Sequence, residues 1–369
     1  MINPHQDMSR QSTPHYGSVS ADPHGRDRII NVANNESPYP PLPSVTTVIS
    51  QELAGINRYP RVSTLDLRTA IAVRCGVDAD QICVGAGSVD VLANLVNVLV
   101  DPGAEVVLPW RSFEAFPSVV ERARATAVPV PLTAQLTHDL PAMAAAVTEH
   151  THMVMLCSPN NPTGTVLHTD EVVDFLARIP SDVHVVLDEA YTHFNQDTNA
   201  VRGLDLLAEH PNVICLHTFS KAYGLAGLRI GFSVSSREVA HTVRQFSLPF
   251  TVTNLAGRAA MASMLAEDEL AARVDLTTRE RGRVTRELGH QGWRVAASQA
   301  NFIWLDTGGD TARVAEQLHD SAIMTRWWEG EGIRVSLGTP RDNDTMISAL
   351  AEIHDLSLIH ISEPTRPER

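Results

Sequence analysis

Short apolar runs, each opening into a polar or glycine-rich segment, recur through the middle of the chain, and apolar residues between them fall at helical spacing. Glu105-Val106-Val107-Leu108 opens into Pro109-Trp110-Arg111-Ser112-Phe113-Glu114, and Met153-Val154-Met155-Leu156 into Cys157-Ser158-Pro159-Asn160-Asn161-Pro162-Thr163-Gly164. Val183 to Leu187 opens into Asp188-Glu189-Ala190-Tyr191, and Val213 to Leu216 into Thr218 to Lys221. Strands that are apolar throughout and alternate with helices predict an α/β fold with a mainly parallel sheet covered on both faces. In such sheets a site lies beyond the carboxyl ends of the strands, so these polar segments are expected to converge.

Flanking regions read differently. Four prolines in residues 34–43 forbid a helix interior and predict an extended arm. Helices are expected over 45–53 and 64–75, with an extended corner at Asn57-Arg58-Tyr59-Pro60 between them. After a strand over 230–234 and a helix, Leu248 to Asn254 breaks the pattern. There follow helix over 254–288 interrupted near Glu267, a strand over 301–305, a helix over 311–320 and a strand over 333–338, the segregated order of a smaller α+β domain. The expected divisions are a flexible leader (1–28), an arm and helix (29–55), a large domain (56–250), a small domain (251–355) and an extraneous tail (356–369) resembling translated adaptor sequence.

Composition narrows the partners. A net charge of -14 disfavours nucleic acid and anionic membrane. The cysteines, Cys75, Cys83, Cys157 and Cys215, are scattered without a Cys-x-x-Cys pair, which fits a reducing cytoplasm rather than a disulfide framework. The sequence has 16 histidines but no His-Glu-x-x-His, so no metal is expected. Neither a signal peptide nor a membrane span is expected.

Candidate chemistry centres on Lys221, in Thr218-Phe219-Ser220-Lys221-Ala222-Tyr223-Gly224-Leu225-Ala226-Gly227-Leu228-Arg229-Ile230-Gly231. An isolated Ser-Lys pair is ordinarily a solvated loop. A lysine placed after a buried strand and near a second cation, however, can lose its proton near neutral pH and act as a nucleophile. Thr218, Ser220 and Arg229 are phosphate donors. The simplest ligand needing both an amine and a phosphate clamp is pyridoxal phosphate. Gly85-Ala86-Gly87-Ser88, between a strand and a helix, reads equally as an anion site at a helix N-terminus or as a tight connection. It is not a dinucleotide fingerprint, because Asp90 stands where the third glycine belongs.

In family order and spacing, residues 158–164, Asp188-Glu189-Ala190-Tyr191 and Thr218 to Gly231 resemble fold-type I pyridoxal phosphate enzymes over about residues 29–355. The resemblance is to the class II aminotransferases that include histidinol-phosphate and actinobacterial aromatic (phenylalanine) aminotransferases. It implies that Lys221 is the Schiff-base lysine, that Asp188 pairs with the pyridine nitrogen and that Asn161 and Tyr191 bind the ring oxygen. Phe113, or alternatively Trp110, would stack on the ring, and Gly87, Ser88, Thr218, Ser220 and Arg229 would form the phosphate cup. Tyr59 matches a tyrosine lent across a homodimer interface to the neighbour's phosphate. Arg334 matches the arginine that grips the substrate α-carboxylate; Arg326, Trp327, Trp328 and Tyr39 lie where the family meets the substrate's far end. Pro40 departs from the family's usual glycine.

Similarity in residues 110–114, 249–252 and 298–302 favours transfer between phenylalanine or tyrosine and 2-oxoglutarate, with histidinol-phosphate transamination as the alternative. A decarboxylase of related architecture is disfavoured by Arg334. A regulatory binding protein would need a further DNA-binding domain, and a structural protein would have no need of Lys221 and Asp188 in these settings.

Overall fold

The computed structural model describes residues 29–362. The expected leader, and residues 363–369 of the expected tail, lie outside them. Along the chain the strands are β1 (Ile30–Asn31), β2 (Ile82–Gly85), β3 (Glu105–Trp110), β4 (Thr126–Pro131), β5 (Thr151–Cys157), β6 (His184–Asp188), β7 (Val213–Thr218), β8 (Gly231–Val234), β9 (Phe302–Leu305), β10 (Ile323–Met324), β11 (Arg326–Trp328) and β12 (Gly332–Ser336).

Seven of them form the main sheet, in the order β2-β8-β7-β6-β5-β3-β4. β3 to β7 run parallel, and only β8 is antiparallel to its neighbours β7 and β2. The sheet is mainly parallel, as the apolar runs predict. Its strands divide their side chains strictly. Val154 and Leu156, Val185 and Leu187, and Val213 and Cys215 enter the core on one face, while Met153 and Met155, Val186, and Ile214 and Leu216 enter the core on the other. Period-two alternation with both faces apolar is what a strand buried between two helical layers requires.

β4 escapes the sequence pattern because Pro129 and Pro131 interrupt it. It is one of the two edge strands, where a missing N–H on the outer side breaks no ladder. β8 passes so close to the turn before Ser88 that a Cβ on Gly231 would lie 2.3 Å from the Ser88 backbone nitrogen. Glycine permits that approach, which brings Gly87 and Ser88 beside the end of β7.

The helices Pro43–Glu52, Leu65–Cys75 and Asn254–Leu265 pack together on the first face, with Val45, Ile71, Ala256 and Ala259 in one core. Thr253 caps the last of these, its hydroxyl accepting from the Ala256 N–H at 3.0 Å. The expected interruption near Glu267 is present, and helix resumes over Glu267–His290 with three acidic residues in its first turn, where the helix dipole favours them.

A separate core, including Val284, Ile303, Leu318, Ile333 and Leu350, holds the antiparallel sheet β11-β12-β9 and its helices. The arm is tied to this part by β1, which pairs in parallel with β10. The last helix, Pro340–Ser362, runs on through residue 356, where the extraneous tail was expected to begin. Among the described residues no helix is long and apolar enough to cross a membrane, and no cluster of side chains is arranged to hold a metal.

Candidate active site

The carboxyl ends of β5, β6 and β7 open into a cleft of about 420 Å³ between the main sheet and the β11-β12-β9 sheet, with the arm along its side. Lys221, Asp188, Tyr191, Asn161, Phe113, Ser88, Thr218, Ser220, Arg229, Arg326 and Arg334 all line it.

At the lysine end, Lys221 follows β7, and its Nζ donates to the carbonyls of Asn34 (3.3 Å) and Asn35 (3.1 Å). Burial, then repulsion from Arg334, push its ammonium down to about pKa 7. Asp188 ends β6. Burial raises its carboxyl to about 6, although the Ala190 N–H donates to Oδ1 at 3.0 Å and Lys221 also favours the anion. Its neighbour Glu189 points elsewhere, accepting from the Gly203 N–H at 3.1 Å and lying 3.4 Å from His217. The Tyr191 phenol is held above its ordinary range by burial and accepts a hydrogen bond from Asn35 Nδ2 at 3.0 Å. Its ring meets Phe302 edge-on at 5.0 Å.

Beside them is a ring of anion donors. The helix Ser88–Leu99 begins after Gly87 with no side chain capping its first turn, and Ser88 and Val89 face the cleft. The Thr218 hydroxyl donates to Ser220 Oγ at 3.0 Å and accepts from the Ser220 N–H at 3.1 Å. Arg229 adopts a left-handed φ of 53° and is steadied by the Ala226 carbonyl at 2.9 Å. Gly87, at φ 92°, lies directly under the Arg229 guanidinium, where a Cβ would collide with it. The donor set, the glycine that lets it close, the buried carboxylate and the low-pKa amine together fit pyridoxal phosphate.

Phe113 rather than Trp110 is the aromatic that reaches the cleft. Trp110 lies under the Arg111 guanidinium at 4.3 Å.

The far end is made by β11 and β12. Arg334 and Arg326 are direct cross-strand partners. Arg334 donates to Asn161 Oδ1 at 2.5 Å and to the Ala33 carbonyl. Arg326 is only 5% exposed and donates from one nitrogen to both Glu114 carboxylate oxygens, each at 2.7 Å. Trp328 lies under both guanidiniums, 5.9 Å from Arg326 and 5.8 Å from Arg334, and is backed by Trp304. Trp327, one residue along the strand, faces the opposite way into the third core.

Tyr39 and Tyr59 also lie outside the cleft. Tyr39 is half-buried against helix Glu267–His290, with the Arg273 guanidinium 5.6 Å above its ring. Tyr59 is 84% exposed and meets the Phe250 ring at 5.2 Å.

Asn35 and Glu114 were not singled out from sequence. Asn35 ties the arm to both halves of the site. Besides Tyr191 and Lys221, it exchanges two hydrogen bonds with Ser336, its N–H donating to Oγ at 2.7 Å and its Oδ1 accepting at 2.9 Å. In the structure it adopts a left-handed φ of 54°, a conformation that asparagine tolerates better than most residues. Glu114 carried no local signal.

A family model described as aminotransferase class I and II matches residues 27–350. The chain is 53% identical over 329 residues, covering 89% of it and 93% of the relative, to an aromatic amino acid aminotransferase of Cutibacterium acnes. It is 45% identical over 347 residues (94% and 96%) to one of Thermobifida fusca. Among solved structures, histidinol-phosphate aminotransferase from Sinorhizobium meliloti in complex with pyridoxal-5'-phosphate superposes with a TM-score of 0.85 at 29% identity, covering 97% of this chain and 95% of that one.

Proposed function

Because the chain belongs to the class I and II aminotransferases, we propose that it is an aromatic amino acid aminotransferase that uses pyridoxal phosphate to move the amino group of phenylalanine or tyrosine to 2-oxoglutarate. Relatives that share 41–53% identity over most of the chain carry that name, which supports the reading. The observation that carries the substrate choice is the Arg326–Glu114 pair. An arginine already matched by a carboxylate at both oxygens, beside Trp328, suits an uncharged ring better than a phosphate dianion.

Ser88, Thr218, Ser220 and Arg229 would hold the cofactor phosphate, Asp188 its ring nitrogen, Asn161 and Tyr191 its ring oxygen and Phe113 its ring face. Bound there, the cofactor supplies an electron-withdrawing ring that stabilises negative charge on the substrate α-carbon. Lys221 takes and returns the α-proton. An amine with a pKa of about 7 is substantially neutral at physiological pH, whereas an ordinary lysine is almost wholly protonated. Asp188, unsolvated and offered one N–H, favours a cation on the neighbouring ring nitrogen, which in turn keeps the carboxylate ionised. Asn161 spends its oxygen on Arg334, leaving its Nδ2 to donate. Arg334 grips the α-carboxylate through a charged bidentate pair, so the carboxylate is retained while the proton moves.

Tyr59 and the exposed Leu53, Ile56, Val62 and Phe250 form the surface on which a second copy would sit, giving a cytoplasmic homodimer in which Tyr59 serves the neighbour's phosphate cup.

The test is steady-state kinetics of the purified, cofactor-loaded protein with phenylalanine or histidinol phosphate as donor and 2-oxoglutarate as acceptor. The expected result is a higher kcat/KM for phenylalanine. A clear preference for histidinol phosphate would install the alternative.

A further inference from the structure

We infer that Glu114 is the specificity-determining residue of the far end of the cleft: its carboxylate is a built-in counter-ion for Arg326 that an anionic substrate tail must displace and an aromatic tail leaves in place. The inference rests on the aminotransferase reading above and adds a residue and a rule to it.

Both guanidiniums of β11 and β12 project from the same face of one sheet into the same cleft. Their surroundings differ. Arg334 is hydrogen-bonded to the Asn161 side-chain oxygen and the Ala33 carbonyl, acceptors without formal charge. Arg326 instead meets a full negative charge, symmetrically, at 2.7 Å from each oxygen. Arg326 is buried, but the Glu114 side chain keeps 26% of its surface exposed. The arginine therefore depends on a partner for compensation, while the carboxylate can turn towards water if a better one arrives.

Chain geometry explains why Glu114 can play this part. It precedes helix Ala115–Arg122 and adjoins Phe113, so the residue that lines the proposed cofactor end is followed at once by the one that neutralises the far end. With the pair closed, an incoming side chain meets a guanidinium whose charge is already matched and which is backed by Trp328. A carboxylate or phosphate tail meets repulsion from Glu114 first and gains Arg326 only after the exchange. Tail preference is thus set by the cost of moving Glu114 and not by Arg326 alone.

The experiment compares wild type with Glu114→Gln and with the double variant Glu114→Gln/Arg326→Gln, all loaded with pyridoxal phosphate. Glutamine keeps the shape and removes the charge. In one arm, kcat/KM of the amino-donor half-reaction is measured for glutamate and for phenylalanine, which share an α-carboxylate and differ in the charge of the tail. In the other, dissociation constants of the unreactive tails glutarate and 3-phenylpropanoate are measured by titrating the cofactor's visible absorbance.

For Glu114→Gln the anionic-to-aromatic ratio is expected to rise about tenfold or more in both arms, and the double variant is expected to lose that gain. The inference is overturned if the ratio stays within about twofold of wild type in a loaded protein, or if the gain survives in the double variant and so reflects a loosened cleft. A wild type that does not transaminate phenylalanine at all would sink the functional reading instead, and that outcome is recognised before any variant is made.

Discussion

The two ends of the cleft are built by opposite means. At the lysine end, Asp188, Tyr191, Thr218, Ser220, Lys221 and Arg229 come from two adjacent parallel strands and the loops that leave them, so the strand period and a few residues of loop place them. At the far end, Arg326 meets Glu114 from 212 residues away, and Arg334 meets Asn161 from 173 away. The first end depends on local chain geometry and one sheet. The second depends on how two separately cored parts pack, and on an arm that is hydrogen-bonded to both through Asn35. Substitutions at the lysine end should therefore remove chemistry irrespective of substrate, whereas substitutions at the far end should sort substrates.

The largest expected effect is that of Lys221→Ala. Removing both the amine and the proton carrier should lower kcat on the order of 10⁴-fold or more with every donor, and the melting temperature should change little. Single-turnover assays with circular dichroism melting check this. Appreciable turnover would mean that another group moves the proton.

Arg334→Gln comes next and sits at the join between the two ends. Losing the proposed carboxylate grip should cost about 2–5 kcal/mol in kcat/KM, nearly equally for phenylalanine and tyrosine, because both present the same α-carboxylate. The same change should alter Lys221. In the wild type the neutral amine forms as pH rises through about 7, so capture of free pyridoxal phosphate should accelerate through that pH and then level off. Arg334 disfavours the ammonium, so its removal should move the midpoint upward. A stopped-flow pH profile of cofactor capture reads this directly; an unmoved midpoint would leave burial as the whole cause.

Smallest is Arg326→Ala with phenylalanine, expected to cost about 0.5–2 kcal/mol in kcat/KM, the scale of a cation against an aromatic ring. A much larger loss with this donor would mean that Arg326 makes a charged contact to it, contrary to the division drawn here.

The same contrast governs what could be read in advance. The parallel strands were legible because each is apolar for its whole length and bounded by glycine, proline or polar residues, and the site followed from where those strands end. β4 was missed because edge strands tolerate the prolines that disguise them. β1, two residues long, was missed because its partner β10 lies far along the chain, and β11 because three residues in a tight hairpin with β12 are too few to show a period. Choosing Phe113 over Trp110 required knowing which side chain turns into the cleft.

By itself, then, the sequence determined the alternation of strand and helix and the gathering of Lys221, Asp188, Thr218 and Ser220 at neighbouring strand ends, because a residue at a strand end is placed by period-two geometry and a short loop. Tertiary structure alone decided that Asn35 steadies Tyr191, that Tyr39 packs on helix Glu267–His290 outside the cleft, and that Glu114 neutralises Arg326. An ion pair between distant segments leaves no periodic trace in the chain; it exists only once the two cores have packed and the arginine, removed from water, requires a counter-charge.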